Sequence, residues 1–257
     1  MNLIGKIFFG CAIIVFSFSN AQNIDVKDSS DSLKVTTKNY NFNYKQILLP
    51  TLLISYGVIG IESDQLKLFN TEIKEEVNEH IDEKLTIDDF AQYAPAVTVI
   101  GLDALGIKGK HSVKDKAIIL STSYILMGLT VNTLKRTTNE LRPDGSDFYS
   151  FPSGHTATAF LGAEMLYQEY KDVSIWYGIS GYFIAAGTGA FRIYNNRHWL
   201  TDVAAGAGIG ILSNKVAYWL YPTISKLFTK KKNTDKRTVF IPFYDGKTTG
   251  FGLVKTF

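Results

Sequence analysis

Residues 117–134 read AIILSTSYILMGLTVNTL, an uncharged run of eighteen that closes on Lys135. Apolarity sustained over that length selects an α-helix buried in a bundle or a bilayer rather than a strand. The pattern recurs along the chain. Ala94 to Ile107 is apolar apart from Asp103, and Ser153 to Tyr170, Ser174 to Phe191 and Asp202 to Tyr221 are three further helical stretches, the last two rich in Gly and Ala. Upstream, Ile47 to Ile61 is uncharged and contains Pro50. The acidic segment Asp64 to Leu85 follows, with Leu66, Phe69, Ile73, Val77 and Ile81 at helical spacing. No parallel-strand pattern interrupts this order. The expected fold is all-α, a helical bundle of about six core helices.

The C-terminal part changes character. Leu227 to Arg237 carries Lys230, Lys231, Lys232, Lys236 and Arg237, a solvated basic run. Beyond it, Asp245-Gly246 separates two strand-like stretches within Thr238 to Phe257, which predicts a short C-terminal β-hairpin. Gly206-Ala207-Gly208-Ile209-Gly210 has no strand before it, so its small residues serve close helix packing rather than a nucleotide.

Of 257 residues, 46% are hydrophobic and 20% charged, with 21 Gly and 6 Pro, which excludes a disordered, collagen-like or coiled-coil chain. Lys+Arg 27 against Asp+Glu 24 leaves only +3, too small and scattered for a nucleic-acid partner. Mean hydropathy is +0.02, between ordinary soluble proteins and packed membrane bundles. Residues 1–21 read as a signal peptide: Lys6, an apolar stretch from Ile7 to Phe18, then Ser19-Asn20-Ala21 before Gln22, with an uncleaved N-terminal anchor as the alternative. The sole cysteine, Cys11, lies inside it, so the cleaved chain forms no disulfide. The expected organisation is a signal peptide (1–21), a polar exposed leader (22–43), a helical domain (44–226) with its chemistry in 135–202, and a basic linker with the hairpin (227–257).

Three clusters place polar residues where an apolar bundle should avoid them. They are Lys135, six residues, then Arg142-Pro143; Pro152-Ser153-Gly154-His155 at a helix start; and Arg192, five residues, then His198, three residues, then Asp202. Taken singly they read as helix-end charges, an N-cap and an i, i+4 pair. If the helices bring them to one end of the bundle, they make an anion site with a nucleophile in it. Arg142 and Arg192 can each hold two phosphate oxygens with a planar guanidinium, Lys135 adds a point charge, and the amides of Ser153 and Gly154 with the Ser153 hydroxyl complete a cradle. Such donors stabilise charge spreading over equatorial oxygens in phosphoryl transfer. His198 is then the nucleophile, and Asp202 accepts a hydrogen bond from its Nδ1–H and fixes the tautomer. His155 protonates the leaving oxygen and later activates water. Because cationic side chains do the electrostatic work, no metal or other cofactor is required. Glu164, inside the helix that Ser153 opens, reads as a paired or interfacial residue. Asn195, Asn196 and Arg197 read as a capped loop that could meet a substrate headgroup.

In order and spacing these three clusters resemble the signature of the type 2 phosphatidic acid phosphatase family, whose site is similar to those of bacterial class A acid phosphatases and vanadium haloperoxidases. The resemblance covers residues 135–202, and the helical pattern from about 94 to 222 is compatible with the family's bundle. It implies a metal-independent phosphomonoesterase or diphosphatase, with the roles above carried by His198, Asp202, His155, Lys135, Arg142, Ser153, Gly154 and Arg192. The family usually has Ser directly before the third-cluster arginine; Phe191 stands there instead, removing a neutral donor worth about 1 kcal/mol.

If the helices span a membrane, Lys108, Lys110, Lys114, Lys116, Lys171 and the Lys226 to Arg237 run fall on one face and the three clusters on the other. The positive-inside rule then puts the site outside the cytoplasm, at the periplasmic face of the inner membrane. The Ile47 to Ile61 run breaks the parity of spans, so it is expected to be re-entrant or packed on the bundle. The substrate expected is a phosphorylated membrane lipid of the phosphatidylglycerol phosphate, undecaprenyl diphosphate or lipid A type. The alternatives are a soluble or membrane-associated periplasmic acid phosphatase, or a vanadium-dependent haloperoxidase.

Overall fold

A computed structural model of the protein describes residues 44–78, 86–228, 238–244 and 249–255. The expected signal peptide and leader, Ile81, the basic residues 229–237 and the hairpin turn at Asp245-Gly246 lie outside these residues. Eight helices are described: α1 (Lys45–Glu62), α2 (Asp64–Asn78), α3 (Ile87–Ala91), α4 (Ala94–Ala104), α5 (Val113–Thr138), α6 (Gly154–Tyr170), α7 (Ile175–Tyr194) and α8 (Leu200–Phe228). β1 (Thr238–Tyr244) and β2 (Thr249–Lys255) follow, antiparallel, with Thr238 opposite Lys255. The chain divides into a helical unit ending at Pro222 and a second unit from Thr223 that holds the hairpin. The fold is an all-α bundle to which the hairpin is a minor addition.

Within the helical unit α6 is the central element, because its Ala- and Gly-rich sequence admits neighbours on every side. Met165, Leu166 and Tyr170 meet Val99 and Leu102 of α4. Ala157 and Leu161 meet Met127 and Val131 of α5 and Ile209 of α8, and Ala159 and Ala163 meet Ala185 of α7. The glycines of α8 set its distance from two neighbours. A Cβ at Gly210 would overlap the Ala157 carbonyl, one at Gly206 the Ser153 carbonyl, and one at Gly208 would sit 2.6 Å from the Pro50 carbonyl of α1. The Gly206–Gly210 stretch therefore packs helices, and α1 lies against α8 on the outside of the bundle.

Two helix boundaries differ from the apolar runs that announce them. α5 begins four residues before Ala117, because Ser112 caps it by accepting from the Asp115 amide at 3.3 Å and because Lys116 is neutralised inside the fold. Lys116 Nζ donates to both carboxylate oxygens of Asp103 at 2.7 and 2.8 Å and to the Tyr170 hydroxyl at 3.1 Å, so this lysine is not one of the loop charges counted for topology. α7 runs on past Phe191 to Tyr194, where Phe191 packs edge-on against Tyr194 with ring centroids 6.0 Å apart. Glu164 is buried and paired: Lys215 Nζ and Gln168 Nε2 each lie 2.6 Å from its Oε1, and the Tyr182 hydroxyl donates to its Oε2.

α5 is long and apolar enough to cross a membrane; α1 and α2, bent by 97° at Ser63, pass the same test only as one broken pair. The outer faces are correspondingly apolar, with Leu48, Leu52, Val97, Ile100, Ile125, Leu129 and Phe183 all exposed. Patches of this extent on a soluble monomer are unusual.

The close approach of α8 to α6 is testable in the purified protein. Gly210→Leu should lower unfolding stability by about 2–3 kcal/mol through overpacking. Gly128→Ala in α5, where a Cβ meets nothing within 4 Å, should be neutral or stabilising by up to about 1 kcal/mol. Thermal unfolding in detergent reads both.

Candidate active site

The segments joining α5 to α6 and α7 to α8 meet at one end of the bundle and are stitched together by backbone groups. The Asp144 amide donates to the Asn196 carbonyl at 3.1 Å, the Ser153 amide to the Asp202 carbonyl at 3.0 Å, and the Trp199 indole to the Leu141 carbonyl at 2.9 Å. Lys135, in the last turn of α5, donates through Nζ to the carbonyls of Tyr149 and Ser150. Arg142 is braced by Asp147, whose Oδ1 accepts from Nε at 2.8 Å. The residues singled out in the three clusters are thereby brought into one neighbourhood.

His198 is 2% exposed, with its amide donating to the Arg192 carbonyl at 3.2 Å. Its Nδ1 lies 3.5 Å from Asp202 Oδ2 and makes no hydrogen bond. The expected Nδ1–H to carboxylate bond is therefore absent. Oδ2 instead accepts from the Ser150 hydroxyl at 2.5 Å and the Trp199 amide at 2.9 Å, and these two donors hold the carboxylate facing the ring.

Ser153 also departs from expectation. Its amide is engaged with Asp202, and its buried hydroxyl caps α6, accepting from the Thr156 amide at 3.4 Å and contacting Thr156 Oγ1 at 2.8 Å. Ser153 thus shapes the helix start, with its amide committed to Asp202 and its hydroxyl turned to Thr156. Gly154 occupies the first helical position, where amides lack intrahelical partners. A Cβ there would make only ordinary contact with Val131, so protein packing does not demand glycine at this position.

A short helix that the cluster reading missed closes the site. Asp88 of α3 is 1% exposed and accepts from Arg192 Nη1 at 2.5 Å and Asn195 Nδ2 at 3.1 Å. Its neighbour Asp89 lies 3.0 Å from His155 Nε2 and 3.7 Å from Arg192 Nη1. Asp88, Asp89 and His155 are close enough to bracket a cation, but the Arg192 guanidinium already supplies the positive charge between them. Arg192 Nε is buried without a hydrogen-bond partner. Asn195 faces Asp88, the Asn196 carbonyl accepts from Asp144, and Arg197 Nη1 pairs with Asp144 at 3.1 Å. This loop is a braced one. Two adjacent carboxylates ahead of an apolar stretch were the available sequence signal for α3.

Electrostatics follow from this packing. Burial, reinforced by Lys135, Arg192, Arg142 and His155, holds His198 well below the usual histidine range and keeps the imidazole neutral. Burial pushes Asp202 up to about 6 against the pull of Ser150, the Trp199 amide, Lys135 and Arg142. His155 is lowered by burial and then by Arg192, with Asp89 and Asp88 opposing. A neutral buried imidazole beside three cations can face a tetrahedral oxyanion as a nucleophile.

The PAP2 superfamily model matches residues 116–226. The chain is 42% identical over 135 residues to the lipid A 1-phosphatase of Porphyromonas gingivalis, covering 52% of this chain and 30% of that protein. It is 34% identical over 76 residues to the bacitracin transport permease protein BcrC of Bacillus licheniformis, covering 30% and 36%. The chain thus spans about a third of the length of these curated relatives. The crystal structure of a transmembrane PAP2 type phosphatidylglycerolphosphate phosphatase from Bacillus subtilis superposes with a TM-score of 0.50 at 20% identity, covering 72% of this chain and 99% of that one, a likeness of fold.

Orthovanadate tests the anion site without reference to turnover. Arg142→Gln, which removes one guanidinium and leaves the half-buried Asp147 carboxylate still accepting from the Tyr149 amide at 2.8 Å, should weaken vanadate binding about tenfold or more. Quenching of tryptophan fluorescence, with Trp199 beside His198, reads the affinity, and an unchanged value would contradict the assignment.

Proposed function

We propose that the chain, whose residues 116–226 match the PAP2 superfamily model, belongs to that superfamily and hydrolyses the phosphate ester or diphosphate of a membrane lipid through a phosphohistidine. The observation that carries this reading is the buried, neutral His198 set among Lys135, Arg142 and Arg192. In the proposed reaction His198 attacks phosphorus while the three cations and the Gly154 amide hold the non-bridging oxygens. Asp202, 3.5 Å away, stabilises the imidazolium as it forms. His155 gives a proton to the leaving oxygen, and then accepts one from the water that releases phosphate from His198. Cationic side chains do the work that a metal does elsewhere, so the proposed chemistry is metal-independent.

Support for a lipid substrate comes from the surface around the site. Phe90, next to Asp89, is 80% exposed, and Phe148 and Tyr149, beside the Lys135 contact, are also exposed. Aromatic side chains of this kind favour the boundary between headgroups and acyl chains. Among lipids, lipid A 1-phosphate is the first to test, because the 42% identical relative carries that name. Lys108, Lys110, Lys114 and Lys171 lie at the opposite ends of the helices, where the Lys110 amide donates to the Glu169 carbonyl. That asymmetry, with α5 crossing the bilayer, supports a periplasm-facing site in the bacterial envelope.

Release of inorganic phosphate from lipid substrates should withstand EDTA, be inhibited by vanadate and disappear in His198→Ala; full activity in that variant would sink the reading. Phe90→Ala with Phe148→Ala should raise KM for vesicle-borne lipid and leave a soluble phosphomonoester unaffected. The pH profile of kcat/KM should be bell-shaped with a weakly acidic optimum. As pH falls through about 6, Asp202 takes up a proton and the rate drops. As pH rises past the lowered pKa of His155, the general acid loses its proton and the rate drops again.

A further inference from the structure

Each of the two histidines in the site faces a carboxylate. For His198 the partner is Asp202, part of the cluster pattern; for His155 it is Asp89, on a helix outside that pattern. We propose that Asp89 is a positioning residue for His155, fixing through Nε2–H the orientation in which Nδ1 exchanges the proton with the leaving group. The inference rests on the phosphatase reading and adds a residue to its machinery.

Geometry supports the pairing from both sides. Asp89 Oδ1 lies 3.0 Å from His155 Nε2, and the side chains are 51% and 30% exposed. Nothing in the core forces the contact. What places Asp89 there is its neighbour, since Asp88 is locked by Arg192 Nη1 at 2.5 Å and Asn195 Nδ2 at 3.1 Å, which pins α3 against the end of α7. The same anchor fixes Arg192, whose Nε is left buried with no protein partner. One short helix thereby sets the orientation of a phosphate-binding cation and of the general acid.

The charge balance gives Asp89 its task. His155 sits beside Arg192 and near His198, and burial together with the guanidinium disfavours the imidazolium that donation requires. Asp89 and Asp88 are the acidic groups facing it. With Nε2–H held by Asp89, Nδ1–H passes to the leaving oxygen as the ester bond breaks, leaving neutral His155 still bonded to Asp89. Nδ1 then takes the proton of the water that attacks phosphohistidine, which restores the imidazolium and frees His198.

The test compares wild type, Asp89→Asn and Asp89→Glu in the full chain, with unfolding temperature as the folding control. Each protein is histidine-labelled, and the His155 ring resonances are titrated by NMR, a readout independent of turnover. Asp89→Asn should move the His155 midpoint down by about half a unit to one unit, with Asp89→Glu close to wild type. An unmoved midpoint overturns the proposal. In phosphate release from phosphatidic acid in detergent micelles, Asp89→Asn should lose about tenfold in kcat with little change in KM, and its alkaline limb should shift to lower pH by the same amount. A rise in kcat would mean that Asp89 blocks His155 and would also overturn the proposal. A wild-type protein that binds vanadate and releases no phosphate from any lipid would instead defeat the functional reading, whatever the NMR result.

Discussion

The site is organised around one buried carboxylate. The Asp202 carbonyl accepts from Ser153 at the start of α6, and its Oδ2 accepts from Ser150 in the loop after α5 and from Trp199 beside His198. A single residue at the head of α8 therefore ties together the loop after α5, the start of α6 and the backbone beside His198. Burying such a group is costly without donors, and its pKa of about 6 records that cost. Removing any donor would leave the carboxylate underpaired and loosen the loops that it joins.

The helices exist, in functional terms, to hold that node in place. α8 can deliver Asp202 next to Ser153 only because Gly206 and Gly210 let it lie against the α6 backbone, and Thr201 meets α1 where Gly57 and Gly60 give way to it. At the other end, a second polar knot closes the bundle: Glu169 accepts from His111 Nδ1 at 2.7 Å and from the Tyr218 hydroxyl at 2.5 Å, while Lys116 is bound to Asp103. Between the two ends the interior is mostly apolar, with Glu164 and Lys215 paired where it is not. Charge there sits on compensated groups, and in the site Arg192 and Arg142 are likewise paired, with Asp88 and Asp147.

How much of this could be read from sequence depended on how local the signal was. The helices from α4 to α8 are legible because each contains an uncharged run, and Lys135, Arg142, His155, Arg192, His198 and Asp202 stand out as polar residues at or near the ends of those runs. The fate of Ser153 was not, since its amide finds Asp202 nearly fifty residues away and no local pattern records that. Ser150 was missed for the same reason. Asp88 and Asp89 lie on a five-residue helix with no periodicity to announce it, and their partners Arg192 and His155 are 104 and 66 positions distant. The adjacent carboxylates are visible in the sequence, but packing alone reveals their partners.

The central claim is that His198 is the nucleophile and becomes covalently phosphorylated. The most direct measurement is rapid quenching of the enzyme with a radiolabelled lipid phosphate that it turns over, followed by mapping of the label. A base-stable, acid-labile phosphoryl group should appear on the peptide containing His198, formed and lost at rates compatible with turnover. Turnover with no label on His198, or with label on a hydroxyl side chain, would contradict it.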